Sequence, residues 1–145
     1  MIDKTGGLGA LSATDLASRF RGHHELDRGK YFISLEMPAR RSLVNNLEAA
    51  EIKGLFGRLM GQELHISIFF RALDPANRSL LVNSFGPFEL KCLFLGLHEY
   101  ESLGLLSGIE LKEDNKQTPK DALNLIKDDE RRGEIRQMLP RSWDI

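Results

Sequence analysis

The chain has 145 residues, of which 41% are hydrophobic and 28% charged. That is the profile of one globular domain, able to bury about two thirds of its unfolded surface without a metal or a disulfide, and it excludes wholesale disorder and a fibrous class. Twenty Lys and Arg against 21 Asp and Glu leave a net charge of −1, so the large positive excess of a dedicated nucleic-acid binder is missing, though a local basic patch is still allowed.

Residues 1 to 10 are Gly-rich and read as a flexible tail. Gly6-Gly7-Leu8-Gly9 has no preceding strand and no Gly-Lys-Ser/Thr ending, so it fails as a phosphate loop. "MIDKTGGLGAL" has no basic-then-apolar signal pattern, and no stretch approaches the roughly 18 to 20 apolar residues of a membrane span. Cys92 is the one cysteine, which rules out an intrachain disulfide and points to the reducing cytoplasm. It lies in the apolar run "LKCLFLGL" and reads as a small buried hydrophobe. No internal repeat stands out.

"LSATDLASRF" reads as a short helix capped by Ser12 or Thr14, with Leu11, Leu16 and Phe20 at near-helical spacing. "RFRGHHELDRGKYFISLEMP" reads as a hairpin turning at "DRG". In its second arm Tyr31, Ile33, Leu35 and Met37 share one face, and Pro38 ends it. His23-His24-Glu25 holds metal-capable groups, but neighbours on a strand point to opposite faces, and His65 and His98 are distant. No metal or cofactor is expected.

"ARRSLVNNLEAAEIKGLFGRLMG" cannot be one straight one-sided helix. Leu43, Val44, Leu47 and Ala50 fall on one side, and Ile52, Leu55, Phe56 and Leu59 on nearly the opposite one. The pattern predicts a break near Asn45-Asn46. "RSLV" becomes a short strand, and an Asn-capped helix runs from about 47 to 60, closed by Gly61.

"LHISIFFRALDPANRSLLVNSFGP" follows. Leu64, Ile66, Ile68, Phe70 and Ala72 alternate with His65, Ser67, Phe69 and Arg71, as in a strand. Asp74-Pro75 opens either a type I turn or a helix. Asn77 and Asn83 are poor interior helix residues, which favours a hairpin with "SLLVNSF" as second arm. One register of that hairpin gathers Phe69, Arg71 and Leu80 on one face. "FELKCLFLGL" and "LLSGIELKE" read as further strands, separated by a turn over "HEYESLG". After the polar loop "KEDNKQ", "TPKDALNLIKDDERRGEIRQMLP" reads as two short helices meeting near Asp128-Asp129. Thr118 caps the first, and Pro140 ends the second.

The expectation is an α+β domain. A mainly antiparallel sheet of about five strands with hairpins carries one covering helix near 47 to 60 and a C-terminal helical pair. An OB-like partly open barrel is the alternative. The core spans 11–113 and a helical extension 114–145 packs on it. No nucleophile elbow, carboxylate pair or triad appears, so the chain reads as a non-enzymatic, cytoplasmic protein-interaction module. It would act as an adaptor or accessory subunit through an apolar sheet face, with a homodimer as the simplest assembly. Phe69, Arg71, Leu80 and the C-terminal Trp143 are the candidate partner-binding residues. The alternative is sequence-tolerant binding of single-stranded nucleic acid on the 19–41 hairpin, with Arg19, Arg21, Arg28, Lys30, Arg40 and Arg41 on the backbone and Phe32 stacking.

Overall fold

A computed structural model describes residues 11–145; the 1–10 segment, expected as a tail, lies outside the described residues. The chain winds through α1 (Ala13–Gly22), α2 (Arg28–Ser34), α3 (Met37–Val44), α4 (Ala49–Leu59), α5 (Glu63–Ala72), α6 (Pro75–Val82), α7 (Pro87–Glu99), α8 (Thr118–Asn124) and α9 (Asp129–Met138). Short 3₁₀ turns intervene at Glu25–Asp27, Leu103–Leu106, Glu113–Asn115 and Arg141–Trp143. Local sequence sets the helix starts. Ser12 and Asp128 accept the first-turn amides of Asp15 and Arg131, and prolines occupy the first turns of α3, α6, α7 and α8, where no amide is needed.

No β-strand occurs among the described residues, which overturns the α+β class, both hairpins and the OB-like alternative. The segment 64–85 is α5 and α6, with Asp74 in extended backbone before Pro75. The supposed 19–41 hairpin is the end of α1, then α2 and α3. "FELKCLFLGL" lies inside α7 and "RSLV" inside α3. The cause is burial. Ile66, Ser67, Phe69, Phe70 and Ala72 of α5 are all buried, and at 100° per residue they cover more than half of the helix circumference. A helix buried that widely carries a near-continuous apolar run, which periodicity cannot tell from a strand.

Contrary to the first reading, the chain does contain a repeat. Phe32, Leu35, Arg40, Leu43, Val44 and Asn45 recur 38 residues later as Phe70, Leu73, Arg78, Leu81, Val82 and Asn83. The helix boundaries keep the same step: α3 starts at Met37 and α6 at Pro75, α4 at Ala49 and α7 at Pro87. So do the hydrogen bonds. Arg40 donates to the carbonyls of Phe32 (3.3 Å) and Ile33 (2.6 Å), and Arg78 to those of Phe70 (3.0 Å) and Arg71 (3.1 Å). Each guanidinium also lies over the ring of the phenylalanine whose carbonyl it binds, at 5.9 and 5.7 Å. Carbonyls at a helix end lack an intrahelical partner, and the arginine fork serves two of them at once. This fixes the sharp joints α2–α3 and α5–α6.

An asparagine locks each copy to the next. Asn45 donates to the carbonyls of Arg41 and Ala72 and accepts from the Asp74 amide and Asn77. Asn83 does the same 38 residues on, donating to Ser79 and Glu110 and accepting from the Lys112 amide and Asn115. The third copy has only its joint. Its counterpart of α5 falls on Glu101–Glu110, where Gly104 and Gly108 stand and Gly108 has φ +84°, and a 3₁₀ turn replaces the helix. Trp143 closes that end: its indole N–H donates 2.7 Å to the Ile109 carbonyl, and its ring lies 6.4 Å from that of Phe94.

Packing follows the same order. Helices contact mainly those one or two steps away in sequence: α1 with α3, α2 with α4, α3 with α5, α4 with α6, and α5 with α7. One continuous core of Phe32, Phe56, Phe69, Phe70, Phe94 and the aliphatics around them threads the copies. This is the quasi-one-dimensional arrangement of a helical repeat protein. Among the described residues, no helix is long and apolar enough to cross a membrane.

Candidate functional site

Helix α4 holds the centre of the array, and its N-terminal half is tied down on two sides. Glu51 accepts the Glu48 amide at the helix start (3.0 Å) and a bidentate pair from Arg21 of α1, at 2.7 and 2.8 Å. The Arg21 hydrogen bond holds the Glu51 carboxyl down at about 2, against an ordinary 4.5. A group depressed in the folded state stabilises above its unfolded pKa and loses that contribution as pH falls through the folded value. Glu51→Gln should therefore melt earlier than the parent at pH 7, with the gap narrowing as the pH is taken from 4.5 towards 2. Thermal melts across that range check it. On the other side, Lys53 donates to the Ser84 carbonyl (2.7 Å) and lies 3.9 Å from Glu89, joining α4 to the α6–α7 link.

Beyond these ties the solvent side of α4 is made mostly of small residues, with Ala49, Ala50, Gly54 and Gly57 exposed beside the long side chain of Arg58. Three adjoining open clefts run over it. The first lies between α4 and α6 and is lined by Ala50, Ile52, Lys53 and Leu80. The second lies against the turn before α2 and is lined by Ala50, Gly54, Arg58, Glu25 and Arg28. The third, about 380 Å³, continues past Arg58 to Leu26, Lys30 and Ile33. Ala50 joins the first two and Arg58 the last two. The result is a trough across α4 with an exposed leucine at each end, Leu80 at 55% and Leu26 at 62%.

The sister helix α7 shows how unusual α4 is. Where α4 has Ala50, Gly54 and Gly57, α7 carries Phe88, Cys92 and Leu95. The fold does not ask for the glycines, because a Cβ built on Gly54 or Gly57 meets nothing within 4 Å. Gly96 of α7 is the opposite case. A Cβ there would lie 2.8 Å from the Ile66 side chain, so that glycine is what lets α7 approach α5. Gly54→Ala and Gly57→Ala should each stabilise the protein by about 1 kcal/mol, the helix-interior difference between the two residues. Urea unfolding measures it.

The chain matches no protein-family model, no curated protein and no solved structure. What it does must therefore be read from its own surface.

The structure scatters the residues singled out from the sequence. Phe69 is fully buried among Phe32 and Phe56, and Trp143 is in the core. Arg71 is exposed on α5 and donates to the Ser102 hydroxyl at 2.6 Å, where Ser67 also meets Ser102. Leu80 lines the trough. Of the basic set, Arg28 and Arg40 are spent on helix-end carbonyls and Arg21 on Glu51. Phe32 is buried and has no face for a base. Arg19, Lys30 and Arg41 remain exposed. Sequence reasoning missed the trough. Its signal was there, as two exposed glycines inside a helix whose sister copy has none at those positions.

Elsewhere the side chains serve the fold. Arg131 of α9 donates to His98 Nδ1 (3.0 Å) and to the Leu95 carbonyl, while His98 Nε2 meets Glu134 at 2.9 Å. That network clasps α9 to the end of α7, and it presents no nucleophile. Burial pushes the Cys92 thiol up, away from the reactive thiolate. Among the described residues, no three His, Cys, Asp or Glu side chains converge as a metal site.

Proposed function

We propose that this protein is a non-enzymatic interaction module, an adaptor or accessory subunit, that receives a partner protein in the trough over α4. The observation that carries the reading is the trough itself: three confluent, largely apolar clefts with Leu80 and Leu26 exposed at its ends. Exposed apolar surface organised along a groove marks interaction sites more than isolated exposed leucines do. Stacked helical repeats commonly use such extended surfaces to bind other chains. The helix between the leucines gives up about 1 kcal/mol at each glycine while leaving room for a partner backbone to come close. With no sheet among the described residues, the surface proposed for the interaction is helical. The lone cysteine fits a reducing compartment, and the cytoplasm is the location we propose.

Purification at low salt from the native cell tests the reading, run in parallel with Leu80→Glu and Gly57→Gln. A protein that co-elutes with the parent and is lost from both variants supports it, whether that protein is a second copy or a different chain. Both changes are at exposed positions, and circular dichroism should show the fold intact in each. A parent that elutes alone as a monomer, or a partner held equally by all three, refutes it.

A further inference from the structure

We propose that the cleft between α2, α4 and α5 takes an acidic amphipathic helix of a partner protein. This rests on the interaction reading above and names the class of partner for one end of the same trough. The cleft has an apolar floor and cationic walls. Leu59 lies at its base, with Leu26 and Ile33 along one side. Lys30, Arg58 and His65 are the ionisable groups that line it, and no carboxylate does. Lys30 and Ile33 sit three residues apart on α2, and Leu26 extends that edge of the cleft from the 3₁₀ turn that runs into the helix. A groove beside such an edge is the form that receives a second helix, with apolar anchors at i, i+3, i+4 and i+7.

Charge selects the occupant. Arg58 reaches the exposed Glu25 only at 4.0 Å, a contact in water that contributes little and yields readily to a better-placed carboxylate. Lys30 is exposed and His65 half-buried at the rim. Anionic side chains flanking the apolar anchors of a docked helix would face Lys30 and Arg58, and such complementarity favours acidic partners and disfavours basic ones. A nucleic acid would also meet the positive charge. The apolar surface here is aliphatic, however, and single-strand binders use exposed aromatic rings to stack bases. The nearby Phe32 is buried.

A displayed library of designed helical peptides, apolar at i, i+3, i+4 and i+7 with Glu or Lys at the remaining positions, is panned against the full chain. The expected result is enrichment of net-negative sequences. Binding of the enriched peptides should weaken with salt and fall by about tenfold or more in Lys30→Glu/Arg58→Glu, the scale set by losing two interface charge contacts. Leu125→Glu, at an exposed leucine that lines none of the three clefts, should leave it unchanged. Lys30→Gln/Arg58→Gln replaces the reversal if that variant fails to fold. Enrichment without charge bias, or lost in Leu80→Glu but not in the cation variants, overturns the acidic-helix inference and leaves the trough as a docking surface. Binding of a single-stranded oligonucleotide that displaces the enriched peptides overturns it in favour of nucleic acid. No enrichment at all counts against the trough as well.

Discussion

Trp143→Ala is expected to destabilise the protein by about 3–5 kcal/mol, the range for deleting a large buried aromatic. The side chain is 2% exposed and sits where the third copy has no full helix to cover α7. Phe94 lies on one side of it, and the Ile109 carbonyl accepts its N–H. Trp143→Phe separates the two contributions. It keeps most of the ring and strands the carbonyl, for about 1–2 kcal/mol. Because contacts run mainly between neighbours, the loss should be local before it is global. Hydrogen exchange should accelerate first in 103–111 and α7, with α1 to α3 affected least. A uniform acceleration over the whole chain would show that Trp143 does not close an end of the array.

Asn45→Ala and Asn83→Ala should each destabilise by about 2–3 kcal/mol, more than a partly exposed polar residue usually does, because each strands several backbone groups at a joint. Asn45 serves the Ala72 carbonyl and the Asp74 amide, and Asn83 the Glu110 carbonyl and the Lys112 amide. Aspartate is the sharper probe. It keeps the accepting oxygen but turns the donating amide into a second acceptor facing two carbonyls. Asn45→Asp should therefore cost at least as much as Asn45→Ala at neutral pH. Denaturant melts read both. An asparagine-to-alanine change within about 0.5 kcal/mol of the parent, the scale of an ordinary surface substitution, would remove the joint from the account.

The sequence made some of this legible. Helix α1 with its Ser12 cap, the break at Asn45-Asn46, the stop at Gly61, where φ is +90°, and the division near Asp128 are all read from local rules. Those segments are amphipathic or carry caps. The failures lie in the middle. In α7, Leu90, Leu93, Phe94 and Leu97 keep perfect helical spacing, but Cys92 and Leu95 add apolar residues between them and flatten the pattern into a run. Asn77 in α6 and Asn83 at its C-terminal cap read as poor helix residues when helix propensity alone is weighed. In the fold they are the groups that bind the copies together, Asn77 to Asn45 and Asn83 to the Glu110 carbonyl and Lys112 amide. The repeat was hidden for a related reason. Proline moves from Pro38 in one copy to Pro75 in the next, one position out of register, and the residues that keep strict step, such as Leu35, Arg40 and Asn45, are scattered among changed ones. Leu80 was legible as an exposed candidate, whereas Phe69 was assigned to a face by a register that a helix does not have.

The two asparagine joints have a consequence for how such a chain can lengthen. Because Asn45 meets 72–77 as Asn83 meets 110–115, a tandem duplication of residues 46–83 would set the first Asn83 against a second copy of 72–77, the groups that Asn45 already binds. Such an insertion reuses the asparagine joint and keeps the core positions in step. Growth by whole units is therefore the least disruptive change in length open to this architecture, and trimming or adding a few residues within a helix is among the most disruptive.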